Sequence, residues 1–209
     1  MRSPDESNLT PYSPKEIRDL FSSAPFQWWI AGGWAIDLFL GKLTRPHFDL
    51  DIAVARRDQT LARQYLTTWD FHYPLRDQNE NIFLHPWKTD MILDFDIPGT
   101  WAREKPDAPW RFEFLLQEID DLKWTFRYCD LIQHPLKEIE GCTSDGIYYL
   151  VPEIALLMKA ARMRDVDEQD FHQVLPYLST MQKAQLATDI SLCWKNHRWL
   201  SMLSVKLDK

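Results

Sequence analysis

Two aspartates, Asp49 and Asp51, form the pattern with the clearest chemical meaning in this sequence. They lie two residues apart in a segment, His47 to Val54, whose alternation is typical of a strand with one buried face and one carboxylate face. Residues two apart on a strand point to the same side, so both carboxylates leave the same face. Carboxylate oxygens of this kind hold Mg²⁺ together with substrate phosphates. The pair therefore predicts a site for one or two divalent cations, and the alternative is an exposed strand face that happens to carry two acids.

A glycine pair upstream of the aspartates adds a second chemical feature. Gly32 and Gly33 follow a short aromatic strand, Gln27 to Ala31, and open a helix, Trp34 to Leu40, that Gly41 closes. Backbone N–H groups at a helix N-terminus bind phosphate, and glycine lets the backbone approach a ligand closely. The alternative is an ordinary strand–helix turn. Beside a carboxylate pair, however, the glycines predict a site that holds phosphates and metal together.

Three further polar residues surround these two features. Arg45 is suited to a forked contact with a phosphate. His47 either orients Asp51 or a phosphate oxygen, or makes a structural hydrogen bond. Asp37 lies one turn into the helix, where the macrodipole favours an acid, and we interpret it as mainly structural.

The elements that must position these residues form an α+β pattern. Ser13, Pro14 and Glu16 have the spacing of a capped helix start. A helix at 58–68 and strands at 71–75, 91–97, 111–117 and 123–127 follow, and helices at 152–162, 167–178 and 181–197 complete the chain. The predicted organisation is a loose tail at 1–13, a mixed β-sheet flanked by helices at 14–150, and a C-terminal helical region at 151–209.

Composition and charge exclude several classes of protein. With 209 residues, 45% of them hydrophobic, the chain is neither disordered nor a repeat polymer. Its net charge of −7, without a basic run, disfavours nucleic acid as a partner. Three scattered cysteines give no disulfide framework or zinc site, and the longest apolar stretch, Trp28 to Leu40, is broken by glycine and aspartate. We therefore expect a reduced, cytoplasmic protein without a membrane partner.

The chemical motifs resemble a known signature. The segments GGWAID (32–37) and GKLTRPHFDLDI (41–52) are similar to the signature of aminoglycoside and lincosamide nucleotidyltransferases, of the polymerase β-like superfamily. Weaker similarity at 110–136, 145–150 and 152–171 is to aminoglycoside-adenylyltransferase-like proteins. The resemblance implies a nucleotidyltransferase-type fold. It also implies Mg²⁺-dependent transfer of a nucleoside monophosphate, AMP from ATP in the simplest case, to a hydroxyl of an aminoglycoside-like small molecule. A net negative charge suits a polycationic acceptor.

The resemblance also implies two further functional residues. Family members use a third carboxylate on a neighbouring strand, as general base on the acceptor hydroxyl or as a metal ligand. Asp94, after Leu93 and shortly before Pro98, matches that position first, Asp96 second, and Glu113 on the next strand third. Lys159 matches a lysine that lies near the nucleotide phosphates in related enzymes, and the alternative for it is a solvated cationic helix face.

Two other hypotheses remain open at this point. The first is a nucleotide-binding protein, or a nucleotidyltransferase-fold protein of toxin–antitoxin type. Its target would be a protein or tRNA. The second is a catalytically silent relative. A basic groove would favour tRNA, and the sequence indicates none, whereas intact glycines and aspartates argue against a silent relative. The acceptor, the preferred nucleotide and the oligomeric state stay open.

Overall fold

The structure, a computed structural model, describes residues 8–76, 78–79 and 82–203. Within these ranges the helices are α1 (Pro14–Leu20), α2 (Gly32–Leu40), α3 (Gln59–Tyr65), α4 (Leu136–Ile139), α5 (Pro152–Ala160), α6 (Asp165–Val174), α7 (Thr180–Cys193) and α8 (Trp199–Leu203). The strands are β1 (Trp28–Ile30), β2 (Asp51–Ala55), β3 (Asp70–Arg76), β4 (Ile82–Pro86), β5 (Gly99–Arg103), β6 (Phe112–Ile119), β7 (Lys123–Thr125), β8 (Gln133–Pro135), β9 (Glu140–Cys142) and β10 (Tyr148–Leu150). Short 3₁₀ turns at Arg56–Asp58 and Leu175–Tyr177 precede α3 and follow α6.

One mixed sheet organises the chain. Its strand order is β4-β3-β5-β6-β2-β1-β10-β9, and β7 and β8 extend from the end of β6. β2 runs antiparallel to β1 and parallel to β6, and this parallel register places Asp51 opposite Glu113. The predicted α+β class, a mixed sheet flanked by helices with a helical C-terminal region, is confirmed.

Strand β2 is buried on both faces. Ile52 and Val54 pack into one core cluster together with residues of α1 and α3. Ala53 and Ala55 pack into the other cluster, which includes residues of α2 and α5 to α8. The sequence predicted a single buried face here. The small alanine side chains instead let helices cover the second face, and carboxylates occupy only the start of the strand.

Several local signals give the expected structure. The Ser13 hydroxyl accepts a hydrogen bond from the Glu16 N–H, and the Ser13 N–H donates back to the Glu16 carboxylate, which completes the capping box. Gly41 ends α2 with φ of 66°, a left-handed conformation that glycine adopts without strain.

The C-terminal helices pack against α2 and against one another. The rings of Phe171 on α6 and Trp199 on α8 stack with centroids 4.2 Å apart. The predicted helices at 152–162, 167–178 and 181–197 correspond to α5, α6 with its 3₁₀ turn, and α7, each with bounds shifted by a few residues.

Two expectations about local structure are wrong. The helix expected at 58–68 is shorter and spans Gln59–Tyr65. Its Leu61 is 42% exposed, whereas Gln59 and Ala62 are buried. No strand forms at Met91–Ile97, which consists of turns and irregular backbone.

Part of the N-terminal tail is attached to the domain. The backbone N–H groups of Thr10 and Tyr12 donate to the carbonyl oxygens of Trp110 and Arg111. Residues 1–7 of the expected loose tail lie outside the described residues. Across the described ranges, no helix combines the length and the apolar character needed to cross a membrane.

Candidate active site

Three carboxylates lie near one another where β2 and β6 begin. Asp51 is the first residue of β2, and its register partner on the parallel neighbour β6 is Glu113, which is only 9% exposed. Paired residues of neighbouring strands project to the same face of a sheet. Asp49 lies just before β2, in an irregular segment rather than in the longer strand that the sequence predicted. We call Asp49, Asp51 and Glu113 the acidic trio.

The electrostatics of the acidic trio favour a bound cation. Burial, followed by the negative charge of Asp49, raises the pKa of Asp51 to about 7. Burial and the charge of Asp51 raise the pKa of Glu113 well above its ordinary value. Carboxylates that repel one another away from water are relieved when a divalent cation binds between them.

The trio does not form a complete metal site by itself. Among the described residues, no group of three or more His, Cys, Asp or Glu side chains is arranged as a metal-binding cluster. Mg²⁺ usually takes one or two carboxylates and completes its shell with water and substrate phosphates. The hard oxygen donors of Asp49 and Asp51 therefore fit Mg²⁺ as a partly protein-bound ion.

Asp94, the first choice for the third carboxylate, lies elsewhere. Its side chain is exposed, neither it nor Asp96 lines the cleft that contains the trio, and its backbone carbonyl accepts a hydrogen bond from Arg56. The physical reason is the anchoring of the segment at Leu93 and Ile97, both buried, which leaves residues 94–96 as an outward turn. The structure thus brings Glu113, the third choice, beside Asp51.

The glycine pair lies against the trio. Helix α2 begins at Gly32, whose φ of 61° is left-handed, and no side chain caps the N-terminus of this helix. A β-carbon at Gly32 would collide with the Asp51 carboxylate, and one at Gly33 would collide with Arg45 and His47. The space beside Gly33 is filled by the side chains of Arg45 and His47, and phosphate binding by the glycine pair stays a prediction.

His47 has a structural partner. Its Nε2 lies 2.6 Å from Oδ2 of Asp37, and its ring stacks on Trp34 with centroids 4.4 Å apart. The Thr44 hydroxyl donates to the other oxygen of Asp37. Desolvation lowers the pKa of His47 despite the adjacent carboxylate. Of the alternatives for His47, the structural hydrogen bond is the one observed, and it is made to Asp37 rather than to Asp51.

Five charged side chains join the loop before β2 to the C-terminal helices. Arg45 donates two hydrogen bonds to Asp170, at 2.7 and 2.9 Å. Lys159 lies 2.9 Å from the Asp170 carboxylate and 3.2 Å from that of Asp167, which also accepts from Arg164 at 2.9 Å. We call this set the ion-pair network. Lys159 is 7% exposed, so the alternative of a solvated cationic helix face is wrong.

Paired cations keep the acids of the network ionised. Burial alone would raise the pKa of Asp170, but the hydrogen bonds and charges of Arg45 and Lys159 outweigh burial and lower it. At Asp167 burial would also raise the pKa, but Arg164 and Lys159 outweigh burial and lower it. The network therefore holds Arg45 and Lys159 in fixed positions at the cleft wall.

The trio and the network border one cleft of about 1170 Å³. Arg127 and Arg162 also line it. Arg162 makes no ion pair in the described part of the chain, and its charge lowers the pKa of both Asp51 and Glu113. Period-two alternation along the strand predicted at 111–117 was a signal for Glu113, whereas nothing local pointed to Arg127.

Comparisons with known proteins give one family-model match. The family model of aminoglycoside-2″-adenylyltransferase matches residues 15–75. No curated protein matches the chain.

Solved structures of antibiotic adenylyltransferases have a similar fold. The crystal structure of ANT(2″)-Ia in complex with adenylyl-2″-tobramycin has a TM-score of 0.53 at 14% identity, over 85% of this chain and 97% of that one. The solution structure of the same antibiotic-resistance factor has a TM-score of 0.50 at 14% identity, over 85% and 89%. Lincomycin-bound lincosamide adenylyltransferase LnuA has a TM-score of 0.50 at 16% identity, over 80% and 97%.

These similarities confirm the predicted resemblance and support a nucleotidyltransferase enzyme. At such low identity the solved structures establish the fold, and the matched segment contains the glycine pair, Asp49 and Asp51. The chain therefore resembles aminoglycoside and lincosamide nucleotidyltransferases in two ways: residues 15–75 match the family model, and most of its length has the fold of these enzymes.

Proposed function

We propose that the protein is a Mg²⁺-dependent nucleotidyltransferase that transfers AMP from ATP to a hydroxyl of a small antibiotic-like molecule. The observation that carries the proposal is the position of the acidic trio beside the uncapped N-terminus of α2, at the border of one cleft. This arrangement offers carboxylates for a cation and N–H groups for phosphates at the same place.

In the proposed reaction the acceptor oxygen attacks the α-phosphorus of ATP. The bond from that phosphorus to the bridging oxygen breaks, and pyrophosphate leaves. Mg²⁺ bound through Asp49 and Asp51 would neutralise the triphosphate and make the acceptor hydroxyl more acidic. The hydroxyl proton would pass to the Glu113 carboxylate. The bound cation and the charge of Arg162 would favour the ionised form of this carboxylate, against the effect of burial and of Asp51 on its pKa.

The phosphates of ATP have a cationic wall available. Arg45 and Lys159 line the cleft and are held by Asp170, so little conformational freedom is lost when a phosphate meets them. The N–H groups at the start of α2 add a positive helix terminus. His47 makes no direct contact with the phosphates in this scheme, because its ring stacks on Trp34 and its Nε2 is hydrogen-bonded to Asp37.

The cleft has room for two ligands. Its volume of about 1170 Å³ exceeds the ~300–1,000 Å³ of a typical single-ligand pocket. Aminoglycosides and lincosamides are the first acceptors to test, because the similar structures hold adenylyl-2″-tobramycin and lincomycin. ATP as donor makes the cytoplasm the proposed place of reaction.

A label-transfer screen tests the proposal. The protein is incubated with each α-³²P-labelled nucleoside triphosphate and with tobramycin, lincomycin, tRNA or protein, in Mg²⁺ and in EDTA. We expect labelled small molecule and pyrophosphate with ATP and Mg²⁺, and neither in EDTA. Label on tRNA or protein alone would favour the toxin–antitoxin-type alternative, and no label on any acceptor would favour a catalytically silent relative.

A further inference from the structure

The cleft continues beyond the acidic trio along one side of β6. Glu113, Leu115 and Gln117 alternate along this strand, and all three line the cleft. Strand β7 runs antiparallel to β6, so residues 126–128, which follow β7, turn back beside Gln117 and also line the cleft. At ~3.3 Å per residue, the floor from Glu113 to Gln117 extends roughly 13 Å. This length accommodates a molecule next to the proposed base.

Charge is unevenly distributed along the cleft. The acids that line it are those of the trio, and all three are at the end where the phosphates are proposed to bind. At the other end the charged lining residue is Arg127. Two acids lie near Arg127, but Glu118 is paired with Arg56 at 2.8 Å, and Asp96 is exposed and does not line the cleft. An ammonium group placed there meets positive charge rather than a carboxylate.

Arg127 has unused hydrogen-bonding capacity. One terminal nitrogen donates to the Phe95 carbonyl at 2.9 Å, and the guanidinium lies over the rings of Phe95 and Tyr128. The other terminal nitrogen is buried without a hydrogen-bond partner. A buried donor without a partner carries a desolvation cost that an oxygen of a ligand would remove.

Much of the cleft lining is apolar. Trp101, Leu115, Phe126 and Met158 line the same cleft and offer aromatic and aliphatic contacts. We infer, on the basis of the proposed function, that the acceptor is a hydroxyl compound with at most one positive charge, an apolar portion, and an oxygen that accepts a hydrogen bond from Arg127. A polycationic aminoglycoside does not match this lining.

The first test compares two acceptors with opposite properties. Lincomycin carries one basic amine and an apolar portion, whereas tobramycin carries several ammonium groups. Binding of each is measured by calorimetry, and adenylyl transfer by kcat/KM, on the full chain with ATP and Mg²⁺. We expect tighter binding and at least tenfold higher kcat/KM with lincomycin. Tobramycin preferred in either measurement, or binding of neither compound, would overturn the inference.

The second test isolates Arg127. Arg127→Gln should raise the KM for lincomycin about tenfold or more, the typical loss for a hydrogen bond to a charged donor, and leave the KM for ATP within about twofold. Arg127→Glu should increase the affinity for tobramycin. Arg57→Gln is the matched control, because Arg57 is partly exposed, pairs with Asp121 and lies outside the cleft lining. An unchanged lincomycin KM in folded Arg127→Gln would refute the role of Arg127.

Failure of this inference differs from failure of the proposed function. If wild-type protein transfers AMP to tobramycin better than to lincomycin, the transferase remains and the acceptor class is wrong. If calorimetry detects the lincomycin preference but no acceptor is ever labelled, the acceptor class stands and the proposed reaction fails.

Discussion

The acidic trio and the ion-pair network lie at the same cleft, but the pKa values of their carboxylates are shifted in opposite directions. In the trio, burial and like charge raise the pKa of Asp51 and of Glu113. In the network, Asp167 and Asp170 are also buried, yet paired cations lower the pKa of both. A buried acid beside other acids is costly unless a ligand neutralises it, whereas a buried acid paired with cations is satisfied without one. The comparison therefore distinguishes the acids of the trio, which a bound cation would stabilise, from the acids of the network, which hold Arg45 and Lys159 in position.

The largest expected effect comes from neutralising the two aspartates of the trio. Asp49→Asn combined with Asp51→Asn should reduce AMP transfer by at least about 10³-fold, because neither carboxylate proposed to hold Mg²⁺ remains. The melting temperature should stay the same or rise, since the change removes charge repulsion. Transfer assays and thermal melting measure the two effects. A wild-type rate in the double variant would end the metal hypothesis.

The second-largest effect distinguishes Glu113 from Asp94, the residue first expected as the third carboxylate. Glu113→Gln should lower kcat ~10²–10⁴-fold, the usual loss for a general base, while ATP still binds. Asp94→Ala is the matched control and should keep kcat within about twofold, because its side chain is exposed outside the cleft. Equal losses in both variants, or a larger loss in Asp94→Ala, would contradict the assignment.

Breaking the network should affect stability first. Asp170→Ala leaves Arg45 and Lys159 without the carboxylate that both contact, and removing one member of a buried ion pair costs ~3–5 kcal/mol. Urea denaturation measures this loss in the free energy of unfolding. The control, Asp165→Ala, removes an exposed acid of the same helix and should cost within ~0.5 kcal/mol. If Asp170→Ala lowered the free energy of unfolding no more than Asp165→Ala, the network would contribute little to stability.

The smallest effect concerns a third kind of acid contact, an acid paired with histidine. His134 lies 2.8 Å from Asp189, and its hydrogen bond to that acid raises the histidine pKa, with smaller contributions from Glu138 and Glu153. A pKa higher in the folded than in the unfolded state stabilises the protein below the unfolded pKa, near 6.5, and this contribution disappears as pH rises through the folded pKa.

Urea denaturation of wild type and His134→Gln at pH 5.5 and 8.5 tests this pH dependence. We expect the stability advantage of wild type to be ~1 kcal/mol larger at pH 5.5 than at pH 8.5. An advantage that grows with pH would have the opposite sign and would show that His134 is not stabilised in its protonated form.

The acids of the cleft also show where inference from sequence succeeds. Asp49, Asp51 and the glycine pair lie within twenty residues of one another, and local periodicity and turn chemistry were enough to place them together. Asp94 does not lie in the cleft because the strand expected at 91–97 does not form. Whether this segment forms a strand depends on contacts with residues that are distant in the sequence. Leu93 and Ile97 are anchored in the core, and Gln59 bonds both the N–H and the carbonyl of Leu93. These distant contacts bend the segment into turns.

The sequence by itself determined the local elements: the capping box at Ser13, the left-handed end of α2 at Gly41, and a glycine turn beside an acid pair. These depend on backbone preferences and on contacts a few residues apart. Only the tertiary structure decided that Glu113 meets Asp51, and that Arg45 meets an acid 125 residues later. The strand order and the docking of the C-terminal helices set those pairs, and the balance of burial against partner charge that fixes their ionisation exists only once the chain is folded.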